Sequence, residues 1–314
     1  DTHMNYNAIK LTAPIKDYLW GGTRLKTDFG KITDKEKAAE SWELSTHPDG
    51  ESIVSGGELN GMTLSQYIKA NGSDECIGTR AAEFDFFPIL IKLIDAKDNL
   101  SIQVHPNDEY AMRVEGEYGK TEMWYIVDCA DDAYLYYGVN RDITKSEFEE
   151  RIKNNTLLEI LNKVPVKKGD VFFIPSGTIH AICSGILICE VQQNSNTTYR
   201  VYDYDRRGAD GKPRELHIEK AIDVSLLTPS PKQAGANSNI LASCKYFTVE
   251  KLNGNSDITL NKASFRSVTV TDGNATLKLD DVTTSLAKGE TVFIPAQDNT
   301  ATITGDFEAI MAYV

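Results

Sequence analysis

A chain of 314 residues with 41% hydrophobic content can build two domains of ordinary size, each with its own core, which speaks against a disordered polypeptide. A net charge of -13 argues against nucleic-acid binding or membrane-surface attachment, since both rely on a basic face, and an anionic ligand would need a locally basic pocket. Five scattered cysteines (Cys76, Cys129, Cys183, Cys189, Cys244) form no Cys-x-x-Cys pair and read as buried thiols of a reducing cytoplasm.

Asp1 to His3 precede Met4 and read as a remnant of expression, leaving His47, His105, His180 and His217 as native histidines. The polar start gives no expectation of a signal peptide. Thr63-x-x-Gln66 is a capping-box pattern that predicts a short helix ended by Gly72. The apolar stretch from Phe86 to Ile94, interrupted by Pro88 and Lys92, is too short to span a bilayer. Thr144-x-x-Glu147 predicts a second helix running through Phe148, Ile152, Leu157, Leu158 and Leu161 to Pro165.

Beyond it lies an internal repeat. Lys168-Gly169-Asp170-Val171-Phe172-Phe173-Ile174-Pro175 recurs 120 residues later as Lys288-Gly289-Glu290-Thr291-Val292-Phe293-Ile294-Pro295. Seven of the eighteen residues from 168 to 185 are identical at that offset, where chance gives roughly one. Each copy has a turn, a β-branched and aromatic run, a proline break and further strand-like residues, so the unit is all-β. Residues 228 to 239, rich in Pro, Ser, Gly and Asn, predict a linker. Val268, Val270, Leu277, Leu279 and Val282, near period two and separated by Asp272-Gly273 and Asp280-Asp281, predict a meander or barrel without βαβ crossovers.

In the first copy, Gly169-x5-Pro175-x-Gly177-x2-His180 resembles the second signature of the cupin superfamily, in which a small β-barrel carries a metal in its mouth; Ser184 stands where that signature often has Asn. The fold expected is therefore all-β dominated, two cupin-type β-barrels (a bicupin, or jelly-roll, arrangement) with a few short helices in the N-terminal half. Residues 4–228 form the metal-bearing unit, 229–239 the linker and 240–314 the metal-free unit, since Thr300 replaces His180 and Gln297 replaces Gly177 in the second copy. If His180 is a ligand, Gln103 and His105 in Ser101-Ile102-Gln103-Val104-His105 share one face of a strand and could join it. Glu122 would add a carboxylate from the next strand. Such a nitrogen and oxygen set leaves a divalent ion with a net charge of about +1, still a strong Lewis acid. The bland alternative is that a lone strand histidine is a surface or hydrogen-bonded residue, and this is the reading for His47 and His217.

Six ordered segments go further and resemble type I mannose-6-phosphate isomerases of the shorter bacterial form: Lys16 to Gly22, Glu40-Ser41-Trp42-Glu43, Ser101 to Asp108, Lys120 to Trp124, Pro175 to His180, and Tyr199-Arg200-Val201-Tyr202-Asp203. The resemblance implies one Zn(2+) per chain on Gln103, His105, Glu122 and His180, with Arg200 in the active site and Ser101 and Lys120 near the substrate phosphate. It implies interconversion of mannose 6-phosphate and fructose 6-phosphate; the chemistry of such a step runs through a cis-enediol, for which Lys120 or a metal-bound water would move the proton and Arg200 would stabilise charge, and Trp20 and Trp42 could line the sugar pocket. Longer relatives have His-Lys-Pro-Glu where this chain has Gly119-Lys120-Thr121-Glu122, so no role of that histidine transfers, and the general base is open.

Trp20 and Trp42 have a competing reading as core. Arg206-Arg207 could extend a phosphate site or form a solvated turn, and Glu190 could be an acid near the metal or the partner of a cation. The rival functions are an iron-dependent cupin oxygenase, whose facial triad also uses two histidines and a carboxylate, and a cupin that binds sugar phosphates without turnover. Gln103 counts against the oxygenase by filling a position it needs open. The partners expected are a small-molecule sugar phosphate, no nucleic acid and no membrane, with a homodimer left open. The second barrel is expected mainly to cover apolar surface of the first.

Overall fold

The protein is described by a computed structural model covering residues 4–231 and 238–314. Residues 1–3, read above as a remnant, and positions 232–237 of the expected linker lie outside the described residues.

Strands dominate, and every named strand pairing is antiparallel, as the hairpin-type turn signals predict. In the N-terminal half two sheets face each other. One has six strands in the order Val171–Ile174, Glu122–Cys129, Ile186–Gln193, Ile89–Ala96, Glu40–Leu44 and Ile15–Lys16. The other has five, in the order Tyr199–Tyr202, Ile102–Val104, His180–Ile182, Tyr134–Val139 and Leu161–Pro165. Period-two alternation divides each strand between two environments. Ile94, Trp124, Ile126, Ile188 and Phe172 from the larger sheet meet Leu135, Tyr137 and Ile182 from the smaller one in a single core cluster. The outer face of the five-stranded sheet is covered by helices Lys145–Lys153 and Ile218–Val224, with Phe148, Ile152 and Ala221 packed on Ile102, Val104 and Ala181.

The C-terminal half forms a ten-stranded sheet system around the long strand Arg266–Leu279. The division expected from the repeat does not separate two independent sheets. Ile9–Thr12 pairs with Thr291–Ile294 on one side and with Ile53–Ser55 on the other, so two N-terminal strands complete the C-terminal sheet. As expected, the second unit covers apolar surface of the first: Phe247, Val249, Phe265, Phe293, Ile310 and Ala312 pack in one cluster with Ile91, Leu93, Met123, Tyr125, Cys189 and Val191 from the outer face of the six-stranded sheet.

The helix opened by Thr63 forms over Leu64–Ala70 with both halves of its capping box and Gly72 just beyond at φ +95. The second predicted helix is shorter than expected. It runs over Lys145–Lys153 and stops because Asn155 takes a left-handed φ of +60; Leu157–Ile160 is a 3-10 turn and Leu161–Pro165 a strand paired with Tyr134–Val139. All five cysteines are free and buried or half-buried. Among the described residues, no helix is long and apolar enough to cross a membrane.

Candidate active site

Residues of both sheets line a cavity of about 270 Å³. Its wall includes Trp20, Ser101, Gln103, His105, Lys120, Glu122, His180 and Arg200, so all eight residues singled out from the sequence are brought together. Register explains part of this. His180 and Arg200 are the cross-strand partners of Gln103 on its two sides, and directly opposed residues in antiparallel strands point to the same face. Glu122 approaches from the other sheet, where it opens the strand Glu122–Cys129.

The ligand atoms of His105, Glu122 and His180 lie within 4.8 Å of one another, and all three residues are buried. His105 Nδ1 lies 3.0 Å from the Thr197 carbonyl oxygen and His180 Nδ1 lies 2.8 Å from that of Thr178. A carbonyl only accepts, so each Nδ1 carries the proton and each Nε2 presents a bare lone pair. Those Nε2 atoms stand 3.5 and 3.1 Å from Glu122 Oε1. Burial, and next the charge of Lys120, push the His105 imidazole down to about 3, so it is neutral. Glu122 Oε2 is itself buried without a hydrogen-bond partner. Acceptors thus converge with no donor between them, an arrangement that a cation resolves, and the donor set fits a divalent metal.

Beside this cluster lies a buried network of which the sequence reading singles out Glu190 and Trp42 but not Lys92. Lys92 Nζ stands 3.7 Å from Glu40 Oε1 and 3.9 Å from Glu190 Oε2. The indole N–H of Trp42 donates to Glu40 (2.9 Å) and that of Trp124 to Glu190 (2.9 Å). Burial and the nearby Glu122 carboxylate push the Glu190 carboxyl well above the usual range, against the pull of Lys92 and Lys120. Burial and the charge of Lys92 lower the Lys120 ammonium. Lys92 carried a usable signal: it is the one cation inside Ile89–Ala96, a strand buried along its whole length. Glu40, Tyr18, Asn196 and Arg214 also line the cavity, and none stood out by spacing.

Trp20 is both cavity wall and core, whereas Trp42 is fully buried and reaches the site through Glu40 and through Lys92, whose Nζ lies 4.9 Å from its ring centre. Arg206 is engaged by Asp203 and the Asn99 carbonyl, and Arg207 by the Gly211 carbonyl at an exposed turn, so neither extends the cavity. His47 bonds to Glu117 (2.6 Å), and His217 Nδ1 accepts from the Arg200 amide (3.1 Å); neither lines the cavity. The guanidinium of Arg200 donates to the Glu215 carbonyl (3.0 Å), but its Nε is buried and unpaired.

Residues 8–134 match the family described as phosphomannose isomerase type I, catalytic domain, and residues 237–314 match the mannose-6-phosphate isomerase cupin domain. The chain is 39% identical to mannose-6-phosphate isomerase ManA of Bacillus subtilis, over 95% of this chain and 96% of the relative. It is 37% identical to the mannose-6-phosphate isomerase of Streptococcus mutans, over 94% of each. The crystal structure of a mannose 6-phosphate isomerase from Bacillus subtilis superposes with a TM-score of 0.88 at 38% identity, covering 98% of this chain and 99% of that one.

Proposed function

The chain belongs to the type I phosphomannose isomerase family, and on that premise we propose that its cavity interconverts mannose 6-phosphate and fructose 6-phosphate with one zinc ion per chain. The observation that carries the metal is the convergence of two bare imidazole nitrogens and a carboxylate with an unpartnered oxygen. Gln103, between His180 and Arg200 in the register, supplies a fourth ligand through its amide oxygen. When bound, the ion supplies positive charge that stabilises the negative charge developing on the sugar oxygens at the reacting carbons.

The chain's own groups do the rest. Lys120, in the wall beside Glu122, moves the proton between the two carbons, because a buried amine gives up its proton more readily than an exposed one. Glu190 and Lys92 fix the polarity of that wall. Arg200 has a planar charge and an unpaired buried Nε for an oxyanion or phosphate oxygen, while Ser101 and Arg214 face the same cavity and assist at the phosphate. Trp20 gives the sugar an apolar wall.

We also assign a cupin-type β-barrel to each unit, residues 4–228 as the catalytic one and 240–314 as the metal-free one, the strands at residues 9–12 and 53–55 being shared across them. The internal repeat and the cupin description matched by residues 237–314 support this.

The test is a coupled assay of fructose 6-phosphate formed from mannose 6-phosphate, with metal analysis of the purified chain. Turnover that disappears with chelator and returns with zinc is expected. A metal-loaded chain without turnover, or one holding iron and consuming dioxygen, would overturn the reading.

A further inference from the structure

Residues 119–121 carry Lys120 and lead into Glu122, and each of their backbone amides is anchored. The Gly119 amide donates to Asp108 Oδ1 (2.8 Å), that of Lys120 to the Pro106 carbonyl (3.0 Å) and that of Thr121 to Gln193 Oε1 (2.8 Å). Gln193 is held in turn, its Nε2 donating to the same Asp108 Oδ1 at 2.8 Å. Two of the three anchors therefore depend on one carboxylate. Its other oxygen accepts a hydrogen bond from across the unit boundary, from the hydroxyl of Tyr246 at 3.0 Å. Tyr246 lies between the strands Ile240–Ser243 and Thr248–Asn253 of the C-terminal unit and takes no part in the cavity wall.

A carboxylate free to rotate about its last bond would offer Gly119 and Gln193 a poor common acceptor. The hydroxyl on its second oxygen fixes that rotation. We propose that Tyr246 is a positioning residue of the active site: it orients Asp108, Asp108 holds Gly119 and Gln193, and these set Lys120 and Glu122 at the cavity wall. The C-terminal unit thereby acts on the chemistry through one hydrogen bond as well as through burial. This inference rests on the isomerase reading above.

The test uses the full-length, metal-loaded chain. Tyr246→Phe is expected to lower kcat for mannose 6-phosphate about 3- to 10-fold with KM within about twofold, because a small displacement of a reacting group costs rate more than ground-state binding. Zinc affinity, read by chelator competition, falls about 3-fold or more, while the thermal midpoint stays within about 2 °C of the parent. Asp108→Ala lowers kcat about 10- to 100-fold, and adding Tyr246→Phe lowers it no further, since the hydroxyl acts only through the carboxylate. Asp108→Asn regains most of that loss, because its carbonyl can face Gly119 while its amide donates to the Tyr246 oxygen. If Asp108→Ala does not fold, Gln193→Ala replaces it in the cycle, with a combined loss smaller than the product of the single ones. The proposal is overturned if Tyr246→Phe keeps parental kcat and zinc affinity, or if the paired substitutions multiply. A parent chain without turnover would instead remove the isomerase reading, and the zinc titration would still decide the positioning role.

Discussion

At the scale of single residues, gathering two imidazoles and a carboxylate around one point should carry a stability cost when no cation is bound. Glu122→Gln should relieve it, because an amide N–H can point at a bare Nε2. The expected outcome is an inversion: the metal-free variant melts above the metal-free parent, while with zinc present the parent melts higher and binds the ion about 100-fold or more tightly. Calorimetry with and without chelator reads both orders. A second prediction concerns Glu117, whose carboxyl the hydrogen bond from His47 holds below its ordinary value of 4.5. A carboxylate whose value is depressed on folding stabilises the fold above its unfolded value, and that contribution is lost as pH falls through the lower folded one. The stability gap between the parent and Glu117→Gln should therefore be full at pH 7 and close below pH 4.5 in acid-unfolding curves. The candidate ligand residues were legible because their spacing carries geometry: Gln103 and His105 two apart in a strand, and His180 after a proline and a glycine turn. Glu40 and Arg214 were not, since their place at the cavity comes from pairings between segments distant in sequence, which leave no local pattern.

At the scale of elements, the strap at residues 119–121 is fixed by steric fit as well as by hydrogen bonds. A Cβ on Gly119 would lie 2.5 Å from the Asn107 carbonyl carbon and 2.6 Å from the Asp108 nitrogen, both backbone atoms that cannot swing aside. Gly119→Ala should destabilise the chain by about 1–3 kcal/mol, as forced overpacking does, and should weaken zinc binding because Glu122 follows in the same segment. Denaturant unfolding and chelator competition check the two effects, and parental values in both would contradict the packing argument. Element boundaries show where sequence patterns mislead. The apolar spacing after Thr144 continued to look helical to Leu161, but a left-handed Asn155 interrupts it and the later leucines enter a 3-10 turn and a strand. Short apolar runs fit either period, and the pairing with Tyr134–Val139 decided the matter.

At the scale of the whole molecule, the internal repeat predicts two related units but gives no sign of how closely the two halves of the chain are joined. The pairing of Ile9–Thr12 with Thr291–Ile294 links the ends of the chain, and no local signal marks a contact of such sequence separation. The joint core matters more. Ile91, Leu93, Met123, Tyr125, Cys189 and Val191 face the second unit, and the strands that carry them present Lys92, Trp124 and Glu190 to the cavity on their other face. Exposing half a dozen such side chains, at about 1.5–3 kcal/mol each, would cost roughly 10 kcal/mol, comparable with the entire stability of an ordinary domain. A chain ended after Leu227 should therefore be insoluble or inactive, with refolding yields near zero. Substituting Phe293→Ala in the intact chain is the milder version: Phe293 is fully buried in the joint core and makes ring contacts with Tyr67 and Phe265. It should cost about 3–5 kcal/mol in stability while leaving KM for mannose 6-phosphate near the parental value below the melting range, since the lesion lies on the far side of the six-stranded sheet. Loss of turnover from that variant while it is still folded would mean that the joint core shapes the cavity itself and does more than support it.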